Sequence, residues 1–491
     1  MAAPKVVSAK CPTCGANLPV SPGIFQVTCR YCQNVIHVEH RKPPPEVRPF
    51  GSPGAMPSRT LYVDPAMMQA GRNVGLIIAL TTLIPILLPL LFIGGPWLVR
   101  SLKGAVKPFP ATCGLNEKVT VSGSFETTGP IVTSVAHNCK IHIKNAKLKG
   151  ATLLATDAAN VELTLENVTL ETTGIAVRSG PNLTVKAIGS TLTSNAAVFE
   201  SDSNLQLTLE GTTLESKTAA VKSKHNLKVY MDGGKIRGQK AGIDADANFK
   251  LTMKNGAEIA GASGTAVKTT SSLKLDAEGA KLDGSLIVTS NADIEATGLT
   301  ITAKDKAIAA TSSLKLDLTD GSLTSLGDVA IEAESSMEVD LVNSTVQGAT
   351  HAITTSSNAK VRASKKTRIV ALSGSAVVGS SNSELNVADA TIEATAKAFR
   401  GTSSNKVKLT QGARLSGKQG GIEAESSLEV DATGATVEGG SGPALAATSG
   451  SRVAFRQGVL KGNPALQFQR KPTSLELDGT RIEGAQQVPA R

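Results

Sequence analysis

The chain has 491 residues, only 3% of them aromatic, and a formal charge of +10; its length exceeds one ordinary globular domain, and its composition excludes a core built around large rings. The charge is localised, because residues 1–107 hold eleven Lys and Arg against Glu39, Glu46 and Asp64, leaving 40 basic and 38 acidic residues beyond. That near-neutral remainder gives no electrostatic footprint for DNA or RNA, and the excess base flanks an apolar segment where anionic lipid is the simplest partner.

Residues 1–40 carry Cys11, Cys14, Cys29 and Cys32, spaced C-x2-C, fourteen residues, C-x2-C. Each pair sits on a tight turn, and four thiolates in a tetrahedral set are what structural Zn²⁺ prefers. A segment this small cannot build an adequate core, so metal binding would supply most of its folding free energy, roughly 10–16 kcal/mol in comparable peptides. Residues 9–39, through both knuckles and the strand-like Val35–Val38, resemble the zinc-ribbon family. A redox C-x-x-C pair and an iron site are the competing chemistries. His37 and His40 read as surface residues, since four cysteines already close the shell, and only Lys10 and Arg30 lie beside the knuckles. The expected role is protein docking or regulation.

Residues 41–73 follow as a linker with Pro43, Pro44, Pro45, Pro49, Pro53 and Pro57 and no apolar period. From Val74 to Ile93 there is no charged residue, matching the roughly 20 apolar residues that cross a bilayer. With Trp97 at an interfacial position and Arg72 and Arg100 as bounds, residues 74–99 read as one transmembrane helix, and residues 100–112 as a juxtamembrane connector. A buried core helix and a cleaved signal peptide are the alternatives; nothing nearby would enclose the first, and the segment lies too far into the chain for the second. Arg59 and Arg72 precede the span and Arg100, Lys103 and Lys107 follow it, so charge alone slightly favours an outside N-terminus. Cysteine usage argues the reverse. A four-thiolate site suits a reducing cytoplasm, and the isolated Cys113 and Cys139 suit an oxidising space, which puts the rest of the chain in a periplasmic or extracellular compartment.

Residues 113–491 are organised by a clock. Asn116, Asn138, Asn160, Asn182, Asn204, Asn226 and Asn248 recur every 22 residues, each opening an alternating apolar run such as Leu205, Leu207 and Leu209. Comparable starts continue with slippage at Ser272, Asn291, Ser313, Ser336, Asn358, Asn382, Ser404, Ser427, Ser451 and Ser474, for about seventeen turns in all. Period-two alternation marks the first strand of each turn, leucines such as Leu170, Leu192, Leu214 and Leu323 a second, and pairs such as Ala176–Val177 and Ala220–Val221 a third. Which residue of such a pair points inward is left open by the pattern.

These features resemble the right-handed parallel β-helix family, seen in pectate-lyase-like proteins and bacterial surface proteins. The expected fold is therefore mostly β, a right-handed parallel β-helix of about 17 coils of about 22 residues, joined to a zinc ribbon and one transmembrane helix. The resemblance implies an asparagine ladder through the seven Asn starts, each amide bonding its counterpart one coil above; ordinary turn asparagines are the alternative. Cys113 and Cys139 fall one coil apart near one corner, as a disulfide worth about 3 kcal/mol or as two buried thiols.

Catalytic residues are not indicated. Asp276, Asp317, Asp340, Asp431 and Asp478 are expected at one outward strand position, where acids serve polysaccharide-cleaving relatives, yet Lys274, Lys315, Glu338 and Glu429 beside them describe a mixed-charge solvated face. His137, His142, His225 and His351 join no acid or nucleophile, and the few aromatics lack register. The leading expectation is a membrane-anchored, non-catalytic rod that meets a protein or envelope polymer. A carbohydrate-active enzyme and a nucleic-acid-linked sensor are the alternatives. Any specialised surface is expected beyond residue 260, where the clock loses regularity.

Overall fold

The computed structural model describes residues 108–490 in full, together with the backbone of four short strands nearer the N-terminus. Those four pair as two antiparallel hairpins, Val7–Lys10 with Asn17–Val20 and Gln26–Thr28 with Val35–His37. In sequence, Cys11 and Cys14 lie between the strands of the first hairpin, and Cys29 and Cys32 between those of the second. The cysteines themselves, the linker and the expected transmembrane helix lie outside the described residues. Among the described residues no helix is long and apolar enough to cross a membrane.

From residue 111 to residue 487 the chain is a parallel β-solenoid of about 17 turns with about 22 residues per turn. Each turn lays down three strands, one per face, and each strand pairs in parallel with its counterpart in the turns before and after. Leu183–Ile188, Thr191–Ser194 and Phe199–Ser201 make one complete coil, stacked on Leu205–Glu210, Thr213–Ser216 and the first part of Ala219–Asp232. At ~4.8 Å per coil the stack is roughly 80 Å long.

Alternation decides what fills it. On the first face Leu183, Val185 and Ala187 are buried and Thr184 and Lys186 face out, and the second and third faces follow the same rule with Leu192 and Phe199 inside. The pairs at the third face resolve simply. Ala176 and Val177 are both fully buried, as are Ala220 and Val221, because the chain rounds a corner there and consecutive residues turn inward. The largest side chains that are fully buried are the rings of Phe199, Phe399 and Phe455.

Two corners of the turn are built on left-handed backbone, though the first loses it from Ser272 to Ser336. One precedes the first face and holds the Asn clock, from Asn116 at φ 56° to Asn248 at φ 49°. The other follows the first face and was not anticipated. It is left-handed at Asn145, Asn167, Gly189, Gly211 and onward to Gln457 and Gly479. Side chains that can bond locally, or none at all, tolerate that region at least cost. The register also corrects the last two starts: Glu429 pairs with Arg452 and Arg452 with Ser474, which puts Gly450 and Pro472, not Ser451 and Ser474, at the corner.

Several buried positions are polar, and at Asn405 the side chain has no partner at all. Asn405 is 1% exposed and sits where Leu428 sits one coil later, with neither amide atom hydrogen-bonded. Gly401 makes room for it, since a Cβ there would lie 2.3 Å from the Asn405 side chain. A buried amide lacking partners costs about 1–3 kcal/mol. Asn405→Leu is therefore expected to raise the rod's stability by an amount of that order, read as a higher urea midpoint at unchanged slope; a lower midpoint would refute this account of the position.

Candidate functional site

The Asn corner is built by one repeated contact. Asn138 Nδ2 donates to Asn116 Oδ1 at 2.9 Å, Asn160 to Asn138 at 2.9 Å, and Asn182 to Asn160 at 2.8 Å. The series continues through Asn204, Asn226 and Asn248 at 2.7, 2.8 and 3.1 Å. The left-handed backbone aims every amide along the stack, so each oxygen faces the next nitrogen. At the first coil, Cys113 and Cys139 are joined in a disulfide with Cα atoms 6.1 Å apart. The second corner forms shorter versions of the ladder, with Asn167 donating to Asn145 at 3.2 Å and Asn343 to Asp320 at 2.5 Å.

The first ladder stops at Asn248. Ser272, Asn291, Ser313 and Ser336 hold the corner next, and none of them is among the left-handed residues, which return at Asn358. Coil lengths slip at the same place: Phe249 pairs with Leu273, two residues later than the clock would put it, and Leu273 with Ala292, three residues early. The short coil runs Lys281–Val288 as one strand across two faces.

Where regularity lapses there is a groove of about 670 Å³. Its lining includes the ladder residues Asn204, Asn226 and Asn248, the side chains of Lys228, Lys250 and Lys274, and Asp293. It straddles the end of the ladder, spanning residues 182–293, rather than lying wholly beyond residue 260. Period and composition gave no hint of it, because it follows from two coils of unequal length placed side by side.

The expected acidic column is real in part. Asp276, Glu295, Asp317 and Asp340 occupy one outward position in four consecutive coils. Glu295 belongs to it and was missed, whereas Asp478 does not, since Glu476 is the residue in register with Ala454 and Asp431. Several of these carboxylates are committed to neighbours. Arg362 grips Asp340 through Nη1 at 2.7 and 2.6 Å and reaches Glu338 at 3.0 Å, and hydrogen bonding to Asp340 is the largest cause holding that guanidinium above its ordinary pKa. Lys315 takes Asp317 at 3.0 Å, and Arg456 takes Asp431 at 3.1 Å.

The histidines serve coil stacking. His137 Nδ1 accepts from the Ala159 amide at 3.0 Å, His142 lies 3.2 Å from Glu166, and His351 Nδ1 meets the Ser375 backbone. Among the described residues no group of three or more His, Cys, Asp or Glu is arranged to hold a metal ion. The ladder itself offers a measurable dissection. Asn204→Ala loses two amide bonds and keeps a Cβ in left-handed backbone without the local amide contacts that let asparagine tolerate it, for an expected cost of about 1–3 kcal/mol, while Asn204→Gly loses the bonds but also removes the Cβ and should cost less. Equal costs for the two, read from denaturant midpoints, would show that backbone handedness contributes nothing there. Comparison with protein-family models, curated proteins and solved structures gave no match, so the site is interpreted from its own geometry.

Proposed function

We propose that the protein is a membrane-anchored, non-catalytic rod that presents a solenoid surface to a polymer or protein of the cell envelope, with a zinc-bound N-terminal ribbon docking a partner on the cytoplasmic side. The observation that carries the placement is the Cys113–Cys139 disulfide in the first coil, since such bonds persist in oxidising compartments. Residues 74–99, apolar and long enough to span, would separate that space from the four-cysteine segment. The two hairpins support a ribbon, for each frames one C-x-x-C pair in sequence, and four thiolates suit closed tetrahedral zinc. The solenoid is taken as right-handed, in keeping with the strong preference of parallel crossover connections.

A binding role is supported by how the outward charges are arranged. Several columns alternate in sign from coil to coil, as Arg178, Glu200, Lys222, Asp244 and Lys268 do on the third face. Such columns stabilise stacking and leave little unspent charge for chemistry. The stacked acids Asp276 and Glu295 are what favours a glycan-cleaving enzyme instead, as they form no ion pair with a described residue. Turnover of acidic glycans by the wild type, abolished by Asp276→Asn with Glu295→Gln, would replace the binding reading.

Topology tests the placement directly. Ser441 is exposed on the solenoid, and Ser441→Cys is expected to react with an impermeant maleimide on intact spheroplasts; labelling only after permeabilisation would invert the arrangement. The purified chain is expected to carry one zinc ion that a strong chelator removes, and Cys29→Ser is expected to lose it. A Cys29→Ser protein that retains full zinc would refute the four-cysteine site.

A further inference from the structure

The sign alternation seen along several outward columns fails at the groove, as it does at the stacked acids Asp276 to Asp340 and between Lys118 and Lys140. On the first face Asp293, Lys315, Glu338, Lys360 and Glu384 follow one another in register, each opposite charge stacked on the last. Immediately before them the same column holds Lys228, Lys250 and Lys274 in three consecutive coils. Like charges held ~4.8 Å apart repel and destabilise the pairing. Lys274 reaches Asp293 at 3.8 Å, with both side chains half exposed. Lys228 and Lys250 form no ion pair with any described residue; Lys222 and Lys360 form none either, but those two stack between acids, Glu200 and Asp244 in one case and Glu338 and Glu384 in the other.

The three ammonium groups share the groove with the ladder amides. A side-chain amide carries two N–H donors, and the ladder bond uses one. The groove therefore combines three donor-only cations with a row of further N–H groups, at one coil height per step. Only a negatively charged, extended partner offsets a charge run that the fold itself does not need.

We propose that this groove binds a linear anionic glycan, laid parallel to the solenoid axis, with carboxylates or phosphates on successive sugars meeting Lys228, Lys250 and Lys274. The proposal rests on the binding reading above and names its ligand class. A glycan is favoured over nucleic acid on three grounds. The positive strip is short, about 10 Å over three coils. It is bordered one position along by Asp276 and Glu295, which would repel a broad, densely charged strand. Nucleic acid without sequence preference is commonly gripped by aromatic platforms, and Phe249, which lines the groove, is 2% exposed.

The test uses the full chain in detergent and fluorescent oligomers of equal length: a polyuronate, a phosphorylated mannan, neutral dextran and a single-stranded oligonucleotide. The wild type is expected to bind one of the two anionic glycans at least tenfold more tightly than dextran or the oligonucleotide, the tighter arm identifying carboxylate or phosphate. Lys228→Gln with Lys250→Gln and Lys274→Gln should remove at least tenfold of that affinity while leaving the unfolding midpoint unchanged or higher. Lys315→Gln with Lys360→Gln, in the alternating part of the column, should bind as the wild type does. Preference for the oligonucleotide overturns the glycan assignment. Undiminished glycan binding by the triple variant overturns the groove and leaves the rod a glycan binder elsewhere, whereas no binding by the wild type overturns the groove and removes the polymer-binding reading with it.

Discussion

Everything in the solenoid follows from one constraint: each coil must satisfy the backbone hydrogen bonds of the coil below it. Val161, Leu183 and Leu205 are paired in register along the first face, and Thr169, Thr191 and Thr213 along the second. Parallel pairing leaves no freedom to slip by one residue, since a slip would exchange the buried and exposed sets. A position in this chain is therefore a column, and a residue type suits it only if it tolerates a copy of its neighbour about 4.8 Å away. Asparagine does so at the corner because its amide is donor and acceptor at once. Lysine does so at a cost unless an acid stands beside it.

That constraint explains what the sequence displayed and what it concealed. The Asn clock was legible because one residue type marks one corner in seven successive coils. The second left-handed corner was not, although it is more persistent, because Gly, Asn, Asp, Gln and even Lys366 hold it in different coils and no single letter marks it throughout. Likewise the acidic column looked like five aspartates at similar distances from a leucine, but only pairing could admit Glu295 and remove Asp478. The buried pairs such as Ala220 and Val221 defeated a period-two reading for a related reason, since the chain changes direction there and alternation ceases to apply.

The groove was the least legible feature. Nothing in the neighbourhood of Lys228, Lys250 or Lys274 distinguishes them from Lys360 or Lys406 until the register shows which charges stack on which. Their repulsion is then a local conflict between sequence and fold, set beside alternating columns in which the same sequence avoids it. Conflicts of that kind concentrate where a protein meets something other than itself.

The placement of this conflict adds a mechanical argument. The ladder stiffens the coils from Asn116 to Asn248 with a continuous row of amide bonds, and the disulfide pins its first coil. Directly after Asn248 the corner conformation changes and coil length first rises and then falls. The recesses in the regular coils are smaller, about 390 Å³ around Lys147 and Thr169 and about 250 Å³ around Asp202 and Lys224, and two unequal coils are the simplest way to open a larger one without interrupting the core. Leu251, Leu275 and Ile294 remain fully buried and in register through the irregular stretch, which shows that the interior stacking is preserved while the corner above it is remodelled. Rigidity on one side, a recess at its end and unbalanced charge along its wall thus come from the same handful of residues.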